Sequence, residues 1–178
     1  MRERVGAALR PGPIRHLDGR VMGAHAGLAD FTVGQRKGLG VSAGRPLYVV
    51  GLDAASNTVV VGGDQDLWAA EATVEGFNYI PFDEPTAPLR VQAKVRYAQA
   101  QADATLVPRG AGRATLRFDA PQRAIAPGQA AVCYDIREPD LVIGGGTITA
   151  TAGATAPAAA GGWEATARAR VERGKEEG

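Results

Sequence analysis

Two short stretches of the sequence carry residue types that could contact an anionic ligand. The first is residues 34–40, Gly-Gln-Arg-Lys-Gly-Leu-Gly, where glycines let the backbone bend sharply and approach a partner closely. Gln35, Arg36 and Lys37 supply hydrogen-bond donors and positive charge that suit contact with phosphate. Taken alone, however, this stretch is better interpreted as a tight turn exposed to solvent.

The second stretch is residues 89–97, where apolar and polar residues alternate. Such alternation predicts a strand with one apolar face and one polar face. The polar face carries three positive charges and no negative one, those of Arg90, Lys94 and Arg96. Residues 122–123 and 127–129 could extend this polar surface, and their types suit contacts with a structured RNA. The ordinary solvent-facing side of an antiparallel sheet would have the same pattern.

Few other residues have the types or spacing that catalysis or metal binding needs. His16 and His25 have no third clustered ligand, so we expect a surface or hydrogen-bonded structural role for each, and no metal site. The single cysteine, Cys133, lies in an apolar run, where we expect a buried and unreactive thiol. The sequence contains no phosphate loop of the Gly-x-x-x-x-Gly-Lys-Ser/Thr type. We therefore expect no catalytic residue in this chain.

The total charge is balanced, but its distribution is uneven. The formal net charge is +1, yet residues 1–45 hold eight basic and three acidic residues, a net of +5, and residues 46–148 have a net of −4. The basic first quarter could attract an anionic partner through its local potential. Because only 6% of residues are aromatic, we expect any contact with nucleic acid to depend little on base stacking.

The location of the protein is predicted from what the sequence lacks. It shows no apolar core of signal-peptide length and no run of the roughly 20 apolar residues that a membrane span requires. A single cysteine excludes an internal disulfide and fits a reducing compartment. We predict a cytoplasmic protein that does not bind membranes.

The elements that would position these residues are predicted to be short strands. The 24 glycines and 11 prolines separate short apolar runs, which indicates many turns. Residues 14–45 are rich in glycine and predict turns around one short strand at residues 31–33. After that, the pattern predicts strands at residues 47–52, 57–61, 71–79, 89–97, 104–107, 114–118, 130–134 and 141–148.

This order of elements predicts three segments. Residues 1–45 form a small glycine-rich segment, and residues 46–148 form a small closed β-barrel or a sandwich, because several short strands follow one another with few helix signals. Closure would also remove exposed sheet edges. Residues 149–178 are low in complexity and then charged, which predicts a disordered or weakly structured tail.

An ordered set of short motifs resembles the C-terminal half of bacterial tRNA-specific 2-thiouridylases. Each motif is short, but their order and spacing together are specific, and they cover roughly residues 11–148. The motifs are DGRVMG at 18–23, HAG at 25–27, FTVGQRKGLG at 31–40, PLYVV at 46–50, AKVRY at 93–97, FDAPQRA at 118–124, PGQ at 127–129 and GGGTI at 144–148.

The resemblance implies a fold and an activity. The family joins an N-terminal adenylating domain to a small central domain and a C-terminal β-barrel that is similar to the second domain of translation elongation factors. Residues 1–45 would then be part of the central domain, and residues 46–148 would be the barrel of a mainly β protein. The family uses ATP to adenylate the 2-oxygen of the wobble uridine in certain tRNAs, and a persulfide sulfur carried on a catalytic cysteine then replaces that oxygen. A sulfur-relay protein is a partner of the full-length enzyme.

The resemblance also implies which residues bind tRNA, while DNA is not expected as a partner. Residues 96–97 match a barrel dipeptide that contacts tRNA, and Gln129 matches a glutamine that does so too. Residues 35–37 match the signature of the central domain, whose role is partly structural. With the lysine of the basic face included, the candidate tRNA-binding residues are Gln35, Arg36, Lys37, Lys94, Arg96, Tyr97 and Gln129.

This chain departs from the family pattern in three ways. The Ser-Gly-Gly-Val-Asp-Ser ATP loop and both catalytic cysteines of the family do not occur in it, and Cys133 matches a barrel-strand position instead. Ala98 stands where the family often has a polar residue. We therefore expect the tRNA-binding portion of a tRNA uridine 2-sulfurtransferase that is catalytically incomplete and holds no cofactor of its own. The alternative is a stand-alone β-barrel module that binds RNA or protein and has no enzymatic activity.

Overall fold

The computed structural model describes residues 10–96 and 99–153, which form ten β-strands and two short 3-10 helices. The strands are β1 (Gly12–His16), β2 (Val21–His25), β3 (Tyr48–Asp53), β4 (Thr58–Gly62), β5 (Trp68–Tyr79), β6 (Leu89–Lys94), β7 (Ala102–Gly110), β8 (Arg113–Arg123), β9 (Ala130–Asp135) and β10 (Val142–Ala152). The 3-10 helices are Leu28–Asp30 and Asp64–Leu67. Within these residues, no helix has the length and apolar character needed to cross a membrane.

The chain divides into two compact units, one ending at Leu67 and the other beginning at Trp68. The first unit contains a four-stranded sheet in the order β2-β1-β4-β3. Strand β1 pairs antiparallel with β2 and parallel with β4, while β3 and β4 form an antiparallel hairpin. The central strand β4 is buried along its whole length, and it packs with the buried Ile14 of β1 and Val49 of β3.

The second unit is a closed six-stranded barrel in the order β10-β5-β8-β7-β6-β9. All of its strand pairs are antiparallel. Alternate residues of each strand point into the barrel, because successive side chains of a strand face opposite sides. The resulting core includes Val91 and Ala93 of β6, Leu106 of β7, Leu116 of β8 and Cys133 of β9. This closure confirms the predicted barrel.

Three consecutive glycines in β10 allow the neighbouring strands to approach closely. A Cβ atom on Gly144 would lie 2.2 Å from the backbone oxygen of Asn78 in β5. A Cβ atom on Gly145 would lie 2.7 Å from the backbone oxygen of Ala131 in β9. The GGGTI motif therefore has a packing role in the wall of the barrel.

The hairpin of β3 and β4 was predicted to belong to the barrel, and the structure places it in the first unit. It lies there because β4 pairs in parallel with β1, from Ile14↔Val59 to His16↔Val61. The structural division consequently falls between Leu67 and Trp68, and not between residues 45 and 46. The first unit is a sheet, which is more regular than the glycine-rich turns that the sequence predicted.

Two further predictions about elements need correction. Residues 31–33 do not form a strand; they lead from a 3-10 helix into a turn in which the N–H of Gln35 donates to the carbonyl of Thr32 at 2.9 Å. The last strand continues past residue 148 to Ala152, which pairs with Glu71 of β5, so the first residues of the predicted tail belong to the barrel. The rest of that tail, residues 154–178, lies outside the described residues.

Candidate nucleic-acid interface

A surface groove of about 510 Å³ on the barrel brings together three of the candidate tRNA-binding residues. They come from two separate stretches of the chain: Lys94 is the last residue of β6 and Arg96 follows two residues later, while Gln129 lies in the loop before β9. The remaining lining residues are Val95, Ala130, Val132 and Tyr134. These described lining residues include two cations and no carboxylate, so the groove suits an anionic ligand.

The register between β6 and β9 builds the floor of this groove. Lys94 lies opposite Val132, and Gln92 lies opposite Tyr134. Between these pairs, Ala93 faces the core opposite Cys133. Because side chains alternate along a strand, Lys94, Val132 and Tyr134 all fall on the outer face of the barrel.

Gln129 is held in place by the loop that precedes β9. Its backbone carbonyl accepts a hydrogen bond from the N–H of Ile148 at 2.8 Å, and the N–H of Gly128 donates to the carbonyl of Ile148 at 2.7 Å. The side-chain oxygen of Gln129 accepts the N–H of Ala126 at 3.1 Å. This arrangement fixes the side chain through its oxygen, and its amide nitrogen is a donor that a ligand in the groove can use.

The predicted basic face is divided into two regions by its acidic neighbours. Arg90 donates to both carboxylate oxygens of Asp119, at 2.8 and 2.6 Å, and to the hydroxyl of Thr105 at 3.0 Å. The hydrogen bond from Arg90 lowers the pKa of the Asp119 carboxyl. Gln92 donates to Asp103 at 3.2 Å. The charge of Arg90 is therefore largely neutralised by Asp119, whereas Lys94 and Arg96 line the groove.

The candidates of the first unit lie in the loop before β3, and the structure gives them different environments. The side-chain oxygen of Gln35 accepts the N–H of Thr32, and its amide nitrogen donates to the carbonyl of Lys37, both at 3.0 Å. The backbone carbonyl of Gln35 also accepts the N–H of Val49 at 2.9 Å. Gln35 thus stabilises its own turn and ties it to β3, whereas Arg36 and Lys37 are exposed.

Tyr97 is a candidate that falls outside the described residues. Sequence reasoning overlooked Tyr134, which contributes an aromatic ring to the groove. The signal that identifies it is the pairing of β6 with β9, since that pairing puts Tyr134 on the same face as Lys94. A tyrosine ring beside cationic side chains can stack on an unpaired base.

Cys133 and His25 have side chains of types that occur in catalytic and metal sites, but both are buried in this structure. The Cys133 thiol is fully buried, and this burial raises its pKa to about 12. His25 is buried, with its Nε2 atom 3.1 Å from the carbonyl oxygen of Asn57 and its ring edge-to-face with Phe31. Among the described residues, no group of three or more His, Cys, Asp or Glu side chains could hold a metal ion.

Two family models match the chain, one for each structural unit. The model described as tRNA methyl transferase PRC-barrel domain matches residues 2–63, and the model described as aminomethyltransferase beta-barrel domain matches residues 69–148. The gap between the two matches contains the division that the structure places between Leu67 and Trp68.

The chain is also similar to proteins named tRNA-specific 2-thiouridylase MnmA. It is 43% identical to that of Acetivibrio thermocellus over 146 residues, which are 82% of this chain and 40% of the relative. It is 47% identical to that of Moorella thermoacetica over 152 residues, 85% of this chain and 42% of the relative. For the protein of Synechococcus sp., the identity is 48% over 139 residues, 78% of this chain and 37% of the relative. The chain therefore spans about two fifths of the length of these curated relatives.

Proposed function

The chain belongs to the tRNA-specific 2-thiouridylase family, and from this we propose that it is the tRNA-binding portion of a tRNA uridine 2-sulfurtransferase. In this proposal, its two units hold tRNA while the adenylation and sulfur-transfer steps use residues that are not in these 178. The properties of Cys133, the single thiol of the sequence, support the assignment of sulfur transfer to other residues. A buried thiol with a pKa of about 12 is a poor sulfur carrier.

The convergence of Lys94, Arg96 and Gln129 in one groove is the observation that carries the proposal. In sequence, more than thirty residues separate Arg96 from Gln129, and the pairing of β6 with β9 brings their neighbourhoods together.

Each side chain of the groove suits a different part of an RNA strand. Arg96 offers a planar fork that can bind phosphate in a bidentate manner, whereas Lys94 is a compact positive charge. The amide of Gln129 suits the edge of a base or a 2′-hydroxyl, and the ring of Tyr134 suits stacking. In the first unit, exposed Arg36 and Lys37 add phosphate contacts, and Gln35 positions them through its two hydrogen bonds.

Three further expectations remain parts of this proposal. Tyr97, which follows Arg96 in the sequence, is a further tRNA contact. A sulfur-relay protein supplies the persulfide to the complete enzyme, which uses ATP, and the protein acts in the cytoplasm. None of these requires a cofactor bound by the residues of this chain.

A salt titration of tRNA binding tests the proposal. We expect Arg96→Ala to weaken the binding of tRNA and to lower the slope of log K against log salt concentration by about 0.7–1, because one phosphate contact is lost. Arg113→Ala is the matched control, since Arg113 is an exposed arginine of the same barrel that does not line the groove. Its slope should equal that of the wild-type chain.

An equal effect of both substitutions would contradict a specific role of the groove. If the wild-type chain has no affinity for tRNA but captures another RNA or a protein, the stand-alone module becomes the better explanation.

A further inference from the structure

The first unit has its own concave site, which lies on the loop between residue 36 and β3. It has a volume of about 440 Å³, and its lining includes Arg36, Gly38, Gly40, Ser42 and Arg45. The described lining contains two guanidinium groups, one hydroxyl and no carboxylate. Arg36, Ser42 and Arg45 are all exposed, so a large extended ligand can reach them.

The loop of this site contains two glycines in the left-handed backbone region. Gly38 and Gly40 have φ angles of 76° and 65°, and Leu39 between them has no positive φ. Successive N–H groups form an anion-binding concavity where αR and αL residues follow one another or form a turn, and the left-handed Gly38 and Gly40 are compatible with such a concavity. The buried side chains of Leu39 and Leu47 anchor the loop to its unit.

A chain of polar contacts holds Arg45 at this site. The Nη2 atom of Arg45 lies 3.2 Å from Nε2 of His16, and Nδ1 of His16 lies 3.1 Å from the Asp18 carboxylate. Asp18 is held in turn by Arg20, at 2.7 and 2.8 Å. The N–H of Asp18 also approaches Nδ1 of His16, at 3.3 Å, but the contact with the carboxylate is shorter and charged. A proton on Nδ1 leaves Nε2 as the acceptor for Arg45.

We propose that Arg36, Arg45 and Ser42, together with the glycine loop, bind a phosphate of the RNA backbone, and that His16 positions Arg45 for this contact. Each guanidinium group has a planar fork of N–H donors that can bind phosphate in a bidentate manner, and two such groups line this site. This inference rests on the proposed function, to which it adds Arg45, Ser42 and His16. A free phosphate ion has the same chemistry as a backbone phosphate, so the experiment must separate the two sources.

The test is a salt titration of tRNA binding by the full chain and its variants. We expect Arg45→Ala to lower the affinity several-fold and the log–log slope by about 0.7–1. Arg45→Lys should restore the slope but not the full affinity, because lysine keeps the charge and lacks the fork. Arg15→Ala is the control, since Arg15 is an exposed arginine of the same unit that does not line the site.

A double-mutant cycle tests the positioning role of His16. We expect His16→Ala to weaken tRNA binding in the wild-type background and to have no further effect in the Arg45→Ala background. A general loss of structure would weaken binding in both backgrounds, and that result would overturn the positioning role.

The outcomes separate this inference from the proposed function. If Arg96→Ala lowers the slope and Arg45→Ala behaves like Arg15→Ala, the phosphate site is wrong and the proposed function stands. If inorganic phosphate shifts the amide resonances of residues 38–42 while Arg45→Ala leaves tRNA binding unchanged, the loop binds free anions only, and the RNA assignment fails. If the wild-type chain does not bind tRNA, both proposals fail.

Discussion

At the scale of single residues, the partners of a charge decide what it can bind. The alternation in the sequence predicts Arg90 and Arg96 on one face of one strand, whereas in the structure β6 ends at Lys94, two residues before Arg96. In the structure, Arg90 is held by both oxygens of Asp119, whereas Arg96 lines a groove without acidic lining residues. The alternation that predicts the face identifies the cations, but Asp119 is almost thirty residues away in β8, and strand order alone brings it to Arg90.

The thiol of Cys133 provides a test at this scale. Its raised pKa, about 12, leaves almost no thiolate near neutral pH. We expect labelling of the native chain by iodoacetamide at pH 8 to be on the order of a thousand-fold slower than labelling of the chain unfolded in urea. Mass spectrometry of the alkylated protein measures the rate. Complete labelling of the native chain within minutes would show that Cys133 is accessible and would reopen a chemical role for it.

Asp18 predicts a dependence of stability on pH. Partial burial raises the pKa of its carboxyl, but the hydrogen bonds from Arg20 and the nearby His16 outweigh this effect and lower it to about 2. The unfolded chain has a higher pKa for this group and binds the proton first, so the stabilisation is present above about pH 4 and is lost as the pH falls through 2. Because the side chain is 40% exposed, we expect it to contribute less than about 1 kcal/mol.

Urea unfolding of wild type and Asp18→Asn measures this contribution. The wild-type chain should be more stable at pH 7, and the difference in the free energy of unfolding should disappear near pH 2. A difference that is the same at both pH values would contradict the assigned role of the charge.

At the scale of elements, the sequence predicts a strand where apolar and polar residues alternate clearly. It does not predict a short strand whose pairing partner is far away in the sequence. The alternation from residue 89 predicts β6, and the structure confirms its faces. The strand β1, Gly-Pro-Ile-Arg-His, is five residues long and has a single fully buried apolar side chain, Ile14. Its parallel partner β4 is more than forty residues away in sequence. The signal that could have revealed this pairing is the uninterrupted apolar character of β4, which is typical of a strand covered on both faces.

The glycines of β10 allow a prediction about the stability of the barrel. Gly144→Ala should lower the free energy of unfolding by about 1–3 kcal/mol or more, since the new methyl group meets the backbone of β5, which cannot rotate away. Gly51→Ala is the control, because the nearest atom to a Cβ there is 3.9 Å away, in Val60. Urea unfolding followed by NMR signals of each unit measures both variants. If the Gly144→Ala and Gly51→Ala variants are equally stable, β10 and β5 move apart to accommodate a methyl group more easily than their pairing indicates.

At the scale of the whole molecule, each of the two units carries candidate contacts, and the proposed function assigns both sets to tRNA. Of the eight basic residues in the first quarter of the sequence, Arg36 and Arg45 line one site of the first unit. Composition does not reveal the groove of the second unit, because the net charge of −4 over residues 46–148 hides a described lining with two cations, Lys94 and Arg96, and no carboxylate. The division between the units was misplaced by some twenty residues, since a hairpin looks the same in sequence whichever sheet it joins.

The central claim is that the barrel groove formed by β6, β9 and the loop before β9 binds tRNA. Titration of the isotopically labelled chain with tRNA, followed by NMR, tests it most directly. We expect the side-chain amide of Gln129 and the backbone amides of Lys94, Arg96, Val132 and Tyr134 to shift or broaden first, at tRNA concentrations where those of residues 110–113 remain unchanged. If the NMR signals of residues 110–113 alone change, or if the signals of the groove residues remain unchanged at saturating tRNA, the groove does not bind tRNA.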